Sequence, residues 1–391
     1  MRWASSLSES RDLTVAVDEA ADAVDQQLGG DASLLICFVS PHHDDRLDEL
    51  PGALRARFPD AVLLGCTGDG VIGDGREIER APALSLTAAT LPSVGLVPFH
   101  FGVGQSPRGP AGWRQRLGLT PEHQPAFLLM PDPFSCDVRS LLSGLDAAFP
   151  GAPKIGGLAS GGRHPGGNGL LLEDRLHRDG LVGVALFGDV TVSCVVAQGC
   201  RPVGPELSVT HARRSLLLGL DGGRAVDALD RVYSQLSPAD RALFSAGPML
   251  GLLPSDGPAQ SRPGDYLVRD VVGLDRDAGA IGVGALVDGV ERVRFHIRDA
   301  GASAQDLNEL LGRHHREHGE RPAGALLFSC LGRGRGLYGE QDHDSRAFRR
   351  HLGAAPLGGF FCSGEIGPVH QTTHLHGYTS AFGIFRPRGW N

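Results

Sequence analysis

Apolar and polar positions in this chain repeat one plan three times: an apolar strand, a polar loop, a short amphipathic helix, and a second strand running into a glycine-rich loop. The copies cover residues 33–75 (LLICFVSPHHDD, LDELPGALRARFPD, AVLLGCTGDGVIGDG), 126–162 (AFLLMPDPFSCD, VRSLLSGLDAAFPG, APKIGGLASGG) and 325–367 (ALLFSCLGRGRG, DSRAFRRHLG, AAPLGGFFCSGEIG). A strand, a short helix and another strand fit the βαβ crossover, which is right-handed in nearly all proteins. Such units gather the loops at the carboxyl ends of the parallel strands on one sheet edge, where open α/β sheets bind ligands. What recurs is backbone shape without a bond-breaking side chain, which favours a ligand-holding scaffold over an enzyme.

Other segments add elements to this frame. Leu13, Val17, Ala21, Val24 and Leu28 stand three and four apart before Gly29 and Gly30, predicting a helix over 9–28 with a glycine stop. Residues 82–91 (PALSLTAATL) alternate as a half-buried strand does. Residues 170–172, 180–187 and 190–198 read as strands between Asp and Gly turns, adding antiparallel pairing to the parallel pairs. From 201 to 263 the pattern turns helical, and from 265 to 299 it returns to strands. Ser303 is placed to cap a long helix, with Asp306 reaching back three residues on.

The fold class expected is α/β: two domains built on mixed, partly parallel sheets with βαβ units flanked by helices. Residues 1–30 would form a helix packing on the first domain. The first domain would cover 31–220 and the second 221–388.

The length of 391 residues gives room for two or three cores. A net charge of −8 is spread along the chain, with no basic stripe to suggest a nucleic-acid partner. The opening MRWASSLSESRDLT lacks an apolar run of signal-peptide length, and the greasiest stretch, 180–199, is broken by Asp189 and glycines. The expectation is therefore a cytoplasmic protein with no membrane partner. Seven cysteines with no CxxC pair argue against a disulfide framework or a structural zinc site. Of 37 basic residues only Lys154 is a lysine, which leaves one candidate for imine chemistry.

Candidate chemistry concentrates in the loops. After Cys330 come Gly332, Arg333, Gly334, Arg335 and Gly336, then His343, Asp344 and Ser345. Glycines free backbone N–H groups for a ligand, guanidinium forks suit a carboxylate or phosphate, and Asp344 or Ser345 would cap the next helix. A solvated turn is the plain alternative. Glu365 could accept bonds from a ligand ammonium group or from Arg333, or tie down its own loop's amides. Ser160, Arg163 and Asn168 occupy the second glycine loop, where LASGG lacks the GxSxG elbow of hydrolases. Cys330 or Cys66 with His343 as base is the one thiol-enzyme arrangement to consider. The sixteen histidines include the run HxxxHxH at His370, His374 and His376, but no cluster that specifies a metal. A haem held by a single histidine leaves no spacing to recognise.

The segments GCTGDGVIGDGREIE, PALSL, GGLASGGRHPGGN, CLGRGRGLYG, HDS, PLGGFFCSGEIGPV and LHGYTS together resemble the FIST family, with paired N-terminal and C-terminal FIST domains, from about residue 32 to residue 385. The resemblance implies a cytosolic sensory or signal-transduction module for small ligands such as amino acids. Some relatives are described as haem-binding nitric oxide sensors, and a eukaryotic branch adds an F-box. The family's motif positions fall on Gly65, Cys66, Gly68 and Arg76, on Gly156, Gly157, Ser160 and Asn168, and on Cys330, Gly332, Arg333, Gly334, His343, Ser345, Gly364, Glu365 and Gly367. The reading is a non-catalytic binder of a small anionic or zwitterionic, amino-acid-like ligand, with no obligatory cofactor, that signals through a separate protein. A haem-based gas sensor and a Cys-dependent enzyme are its alternatives. The ligand set expected is Cys66, Gly68, Arg76, Ser160, Arg163, Asn168, Cys330, Arg333, Arg335, His343, Ser345 and Glu365.

Overall fold

The structure is a computed structural model that describes residues 1–254, 257, 258, 260–319 and 321–389. Its chain divides into two compact units. The first comprises 1–196, 308–375 and 379–391, and the second 197–307 with 376–378. This division differs from the sequence-order halves 31–220 and 221–388, since residue 220 lies inside the second unit.

In the first unit each sequence repeat is the centre of a longer module. The first module runs β1 (Arg2–Ser8), α1 (Leu13–Leu28), β2 (Leu34–Val39), α2 (Leu50–Arg57), β3 (Val62–Thr67), a hairpin of β4 (Gly70–Gly73) and β5 (Arg76–Glu79), and β6 (Leu84–Thr90). The second runs β7 (Val94–Phe101), α3 (Gly109–Leu117), β8 (Ala126–Pro131), α4 (Val138–Ala148), β9 (Lys154–Gly157), a hairpin of β10 (Leu170–Leu172) and β11 (Arg175–His177), and β12 (Leu181–Gly188). The third opens with β13 (Thr191–Gln198) and is then interrupted by the second unit. That unit contains β14 (Cys200–Arg213), β15 (Leu216–Leu220), β16 (Gly223–Arg224), α5 (Ala225–Gln235), α6 (Pro238–Ala246), β17 (Met249–Leu252), β18 (Leu267–Asp275), β19 (Ala280–Val283) and β20 (Arg292–Arg298). The third module resumes with α7 (Ala300–His318), β21 (Gly324–Cys330), α8 (Gly334–Tyr338), α9 (His343–Leu352), β22 (Leu357–Cys362), a hairpin of β23 (Glu365–Val369) and β24 (Thr372–His376), and β25 (Thr379–Arg386).

The central pairs β2–β3, β8–β9 and β21–β22 are parallel, as βαβ units require. The three sheets then share one order: β1-β6-β2-β3-β10-β11, β7-β12-β8-β9-β23-β24 and β13-β25-β21-β22-β4-β5. Each hairpin therefore leaves its own module. The first module's hairpin completes the third sheet, the second's completes the first, and the third's completes the second. Pairing is antiparallel at each transfer, as in Gly70↔Phe361, Leu170↔Cys66 and Glu365↔Gly157.

Local sequence explains the turns and the closeness of the strands. Asp74 and Gly75 both have positive φ (49° and 71°), the pairing a tight Asp-Gly hairpin turn demands. At the matching positions Gly65, Gly156 and Gly359, an added Cβ would lie 1.9–2.0 Å from the carbonyl oxygen of Cys37, Leu129 or Leu327 on the neighbouring strand. Phe38, Phe328 and Phe360 fill the centre, with Phe38 stacked on Phe360 at 4.7 Å and Phe328 edge-on to both.

The second unit is antiparallel. Strand β14 pairs with β20 on one side and β15 on the other, closing the ring β14-β20-β17-β18-β19-β15 into a barrel. Its core holds Val203, Leu217, Leu250, Ile281, Phe295 and Ile297.

The fold class is as the periodicity predicts, and several local readings change. Residues 2–8 form the strand β1, paired antiparallel with β6, although RWASSLS shows no alternation and its small serines hide it. Residues 200–220 are strands rather than the start of a helical stretch, which begins at Ala225. Helix α7 starts at Ala300, with Asp299 accepting from Ala302 N at 3.0 Å. Ser303 is thus inside the helix, and Asp306 accepts from Gln198 N at 2.7 Å instead of closing a capping box.

The strand contact at Gly156 is testable by one methyl group. Gly156→Ala should lower stability by about 1–3 kcal/mol or more, because the Leu129 carbonyl is backbone and has nowhere to move. Gly52→Ala in α2, where an added Cβ meets nothing within 4 Å, should be neutral or stabilising. Urea unfolding midpoints of the two variants check both statements.

Candidate functional site

The three glycine corners meet. Ser160 N donates to Thr67 O (3.1 Å), Leu158 N to Gly364 O (2.9 Å) and Ser363 N to Leu158 O (3.1 Å). The Ser160 hydroxyl accepts from Asp69 N (2.9 Å) and donates to Phe361 O (2.5 Å), so one side chain ties two corners to a third. The space inside is occupied by Cys66, Ala159, Phe360 and Cys362, all fully buried. The corners enclose packed core, and the open surface lies beside it.

One flank of this core carries a buried charged cluster. Arg333 is 1% exposed, and its Nε and Nη2 donate to Asp344 Oδ2 (2.9 Å) and Oδ1 (3.1 Å). His343 Nδ1 is 2.9 Å from Asp344 Oδ1, and its ring stacks on Tyr338, over which Arg333 also lies. Ser380 donates to Asp344 as well. Burial opposes charge on Asp344, but the adjoining guanidinium holds its carboxyl well below the usual range. Glu77 lies next to it and moves the other way, raised by burial and then by the Asp344 charge. Its Oε1 accepts from Ser345 N (2.7 Å), capping α9 from another strand. Asp342 in turn accepts from Glu77 N at 2.6 Å. The expected caps from Asp344 or Ser345 side chains are absent, since both residues lie within the helix rather than ahead of it.

On the other flank Glu365 is fully buried. Thr379 donates to its Oε2 through N (3.0 Å) and Oγ1 (2.6 Å), and Cys362 Sγ to Oε1 (3.3 Å). Burial raises its pKa to about 7.

The open ground lies between the first module's hairpin and the loop after β21. A concavity of about 400 Å³ is lined by Glu79, Arg80, Arg335, Gly336 and Gln341. A recess of about 40 Å³ sharing Glu79 and Arg80 is lined also by Asp69, Gly70, Leu331 and Phe361. Glu79 Oε1 accepts from Arg335 N (2.8 Å). Gly334 has φ 59°, and a Cβ there would sit 2.5 Å from that carboxylate. Among the described residues the guanidinium groups of Arg80 and Arg335 have no partner, so both are available to an anion.

Of the twelve residues in the expected ligand set, the structure brings only Arg335 to this concavity. Arg333 and Glu365 are interior, committed to Asp344 and to Thr379. Cys66 is buried, its thiol pushed well up by desolvation. Gly68 passes Phe360, which an added Cβ would reach at 2.9 Å. Arg76 is exposed and pairs with Glu9 at 2.6 Å. Arg163 is exposed on its loop. Asn168 is buried, accepting from Gly162 N and donating to Asp132 Oδ1, both at 2.9 Å, so it holds its own loop. Cys330 is half-buried at the end of β21. Lys154 is buried and paired with Asp146 at 2.8 Å. Glu79 and Arg80, which sequence reasoning passed over, end the hairpin segment REIER, and the signal lay in that cluster of charges directly after a glycine loop.

No histidine lines either cavity, and the charged lining does not fit a haem, which needs an axial ligand in an apolar slot. Among the described residues no three or more His, Cys, Asp or Glu side chains are grouped to hold a metal ion.

Comparison with known sequences shows that the FIST N domain model matches residues 33–223 and the FIST C domain model residues 225–368. The chain belongs to the FIST family. FIST domains are signal-transduction sensory domains. The FIST N segment supplies Glu79 and Arg80 and the FIST C segment supplies Arg335, Gly336 and Gln341, so the concavity needs both. An uncharacterized protein of Mycobacterium tuberculosis is 35% identical over 386 residues, covering 98% of this chain and all of that protein. An uncharacterized protein of Mycobacterium bovis is 33% identical over 370 residues, 95% of each. Among solved structures, a cyanuric acid hydrolase from A. caulinodans covers 99% of both chains at 9% identity and a TM-score of 0.34, too distant to carry an argument. No helix among the described residues is long and apolar enough to cross a membrane.

Two measurements test the buried groups. Arg333→Met leaves Asp344 charged without its partner and should cost about 3–5 kcal/mol, whereas pairing it with Asp344→Leu should recover much of that loss in chemical unfolding. Glu365 has a folded pKa of about 7 against an ordinary 4.5. Its contribution is therefore full below pH 4.5 and is lost as pH rises to 7. Glu365→Gln, neutral throughout, should lack this fall, so stability from pH 4.5 to 7 should decline less steeply than in the parent protein, by up to about 1.4 kcal/mol per pH unit.

Proposed function

We propose that this FIST protein is a sensory module that holds a small anionic or zwitterionic, amino-acid-like molecule in the Glu79–Arg80–Arg335 concavity without transforming it. The observation that carries this reading is a pair of guanidinium groups, unpartnered among the described residues, that line one concavity with a carboxylate already anchored to a backbone N–H. Arg80 and Arg335 offer forked donors for a ligand carboxylate. The second oxygen of Glu79 offers an acceptor for an ammonium group. The lining supplies recognition groups and, in Glu79, Arg80, Arg335, Gly336 and Gln341, neither a thiol nor a hydroxyl to attack a substrate.

Because the hairpin bearing Glu79 belongs to one family domain and the Arg335 loop to the other, occupancy would clamp the two together. That is a physical change a sensor can transmit. Output would pass to a separate signalling protein, which recognises the clamped state.

Titration calorimetry with a panel of amino acids and dicarboxylates tests the proposal. One or more should bind, and Arg335→Ala or Arg80→Ala should weaken that binding about ten- to a hundredfold through the loss of charge-assisted bonds. A silent panel, or equal binding by the Arg335→Ala protein, would count against it.

A further inference from the structure

Cys330 and Cys362 stand opposite each other across the parallel pair β21–β22, as register partners at the carboxyl ends of their strands. Among the described residues the other two parallel pairs hold no such match, since Cys66 stands opposite Phe38 and Cys37 opposite Gly65. Register partners on neighbouring parallel strands point to the same face, with the strands about 4.7–4.9 Å apart. That falls within the roughly 4.4–6.8 Å that a disulfide spans between Cα atoms. The Cys362 sulfur already leans toward β21, lying 3.4 Å from the carbonyl oxygen of Ser329, the residue bonded to Cys330. Both cysteines are thiols in this structure.

Their surroundings differ. Cys330 is half-buried, its Sγ accepts from Gly332 N at 3.5 Å, and it lies within the field of the Arg333 guanidinium. A backbone donor and a nearby cation both favour a thiolate, and a partly exposed thiolate is the form that peroxides oxidise. Cys362 is fully buried. Burial and then the Glu365 charge keep its thiol protonated, with Sγ donating to Glu365 Oε1 at 3.3 Å. One thiol is placed to meet an oxidant, and the other only to meet its neighbour.

We propose that Cys330 and Cys362 are a peroxide-oxidised dithiol site, in which Cys330 is oxidised first and Cys362 then closes a reversible disulfide with it. In the first step the Cys330 sulfur attacks one oxygen of hydrogen peroxide. An S–O bond forms, the O–O bond breaks, and the leaving hydroxide takes up the thiol proton as water. In the second step the Cys362 sulfur attacks the Cys330 sulfur, so the S–S bond forms and the S–O bond breaks. The Cys362 proton passes to Glu365 and on to the departing hydroxide, giving a second water. The two thiols together lose two electrons and two protons, and the peroxide is reduced to water. Closure draws the Cys330 sulfur away from Gly332 N, at the start of the turn that sends Arg333 inward and Arg335 outward. The site does not depend on the concavity described above holding a ligand.

The test treats the full-length protein with a few equivalents of hydrogen peroxide, alkylates the remaining thiols under denaturing conditions and maps the peptides by mass. The parent protein should yield a Cys330–Cys362 cross-link, lighter by two hydrogen atoms and reopened by dithiothreitol. Cys362→Ser should instead accumulate a sulfenic acid on Cys330 that dimedone traps, and Cys330→Ser should leave Cys362 reduced. Cys136→Ser, at another half-buried thiol, should form the cross-link as the parent does. The parent result needs no variant to fold. Absence of the cross-link from the parent protein, a bond from either cysteine to a different thiol or to a second chain, or oxidation of Cys362 in Cys330→Ser would overturn the proposal.

Discussion

Main-chain pairing between each module's hairpin and the next module's sheet is the constraint on which the first unit depends. A sheet strand left unpaired would present a row of N–H and C=O groups to solvent or to another chain. Here β3, β9 and β22 each have one neighbour from their own βαβ unit and a second from elsewhere in the chain. The exchange is cyclic, so no module is complete without another. It also fixes where the glycine corners can go, because each corner is the short link between a parallel strand and a hairpin that has to cross to the neighbouring sheet.

The charged interior follows from that geometry. The hairpin of the first module brings Glu77 and Glu79 to the third sheet, beside a loop that carries two arginines. Arg333 turns inward to Asp344, and the pair is sealed by Tyr338, His343 and Ser380. A buried ion pair seldom adds net stability, but breaking it is expensive, so it fixes one arrangement of the loop over others. Arg335, two residues on, is left outward. The inward residue sets the loop's shape and the outward one meets solvent.

Much of this was legible in the sequence because it rests on period and punctuation. The threefold strand–helix–strand plan gave the parallel pairs, and Gly29 ends α1 as a glycine stop does, although the helix opens at Asp12 rather than at residue 9. The convergence of the corners could be read from their placement at strand ends. What could not be read was which of two arginines in GRGRG faces inward, since alternation in a five-residue loop has no fixed period. Equally hidden was the exchange of hairpins, because a strand's partner at the far end of the chain leaves no local mark. The charges of REIER mark the segment locally, but what gives Glu79 its place is the Arg335 loop that the pairing of β4 with β22 brings beside it. Asn168 and Glu365 mislead for the opposite reason, being polar residues in glycine loops whose bonds are all used by the fold.

The cyclic exchange has a bearing on how the chain comes to be folded during synthesis. Strand β4 is made long before its partner β22, since Gly70 pairs with Phe361. Until β22 has been made, the first hairpin has no sheet to join. Contacts so distant in sequence delay closure and favour slow folding. The nascent polypeptide must therefore carry an unsatisfied β-ribbon through the interval between the two, a period in which holding chaperones have the most to offer.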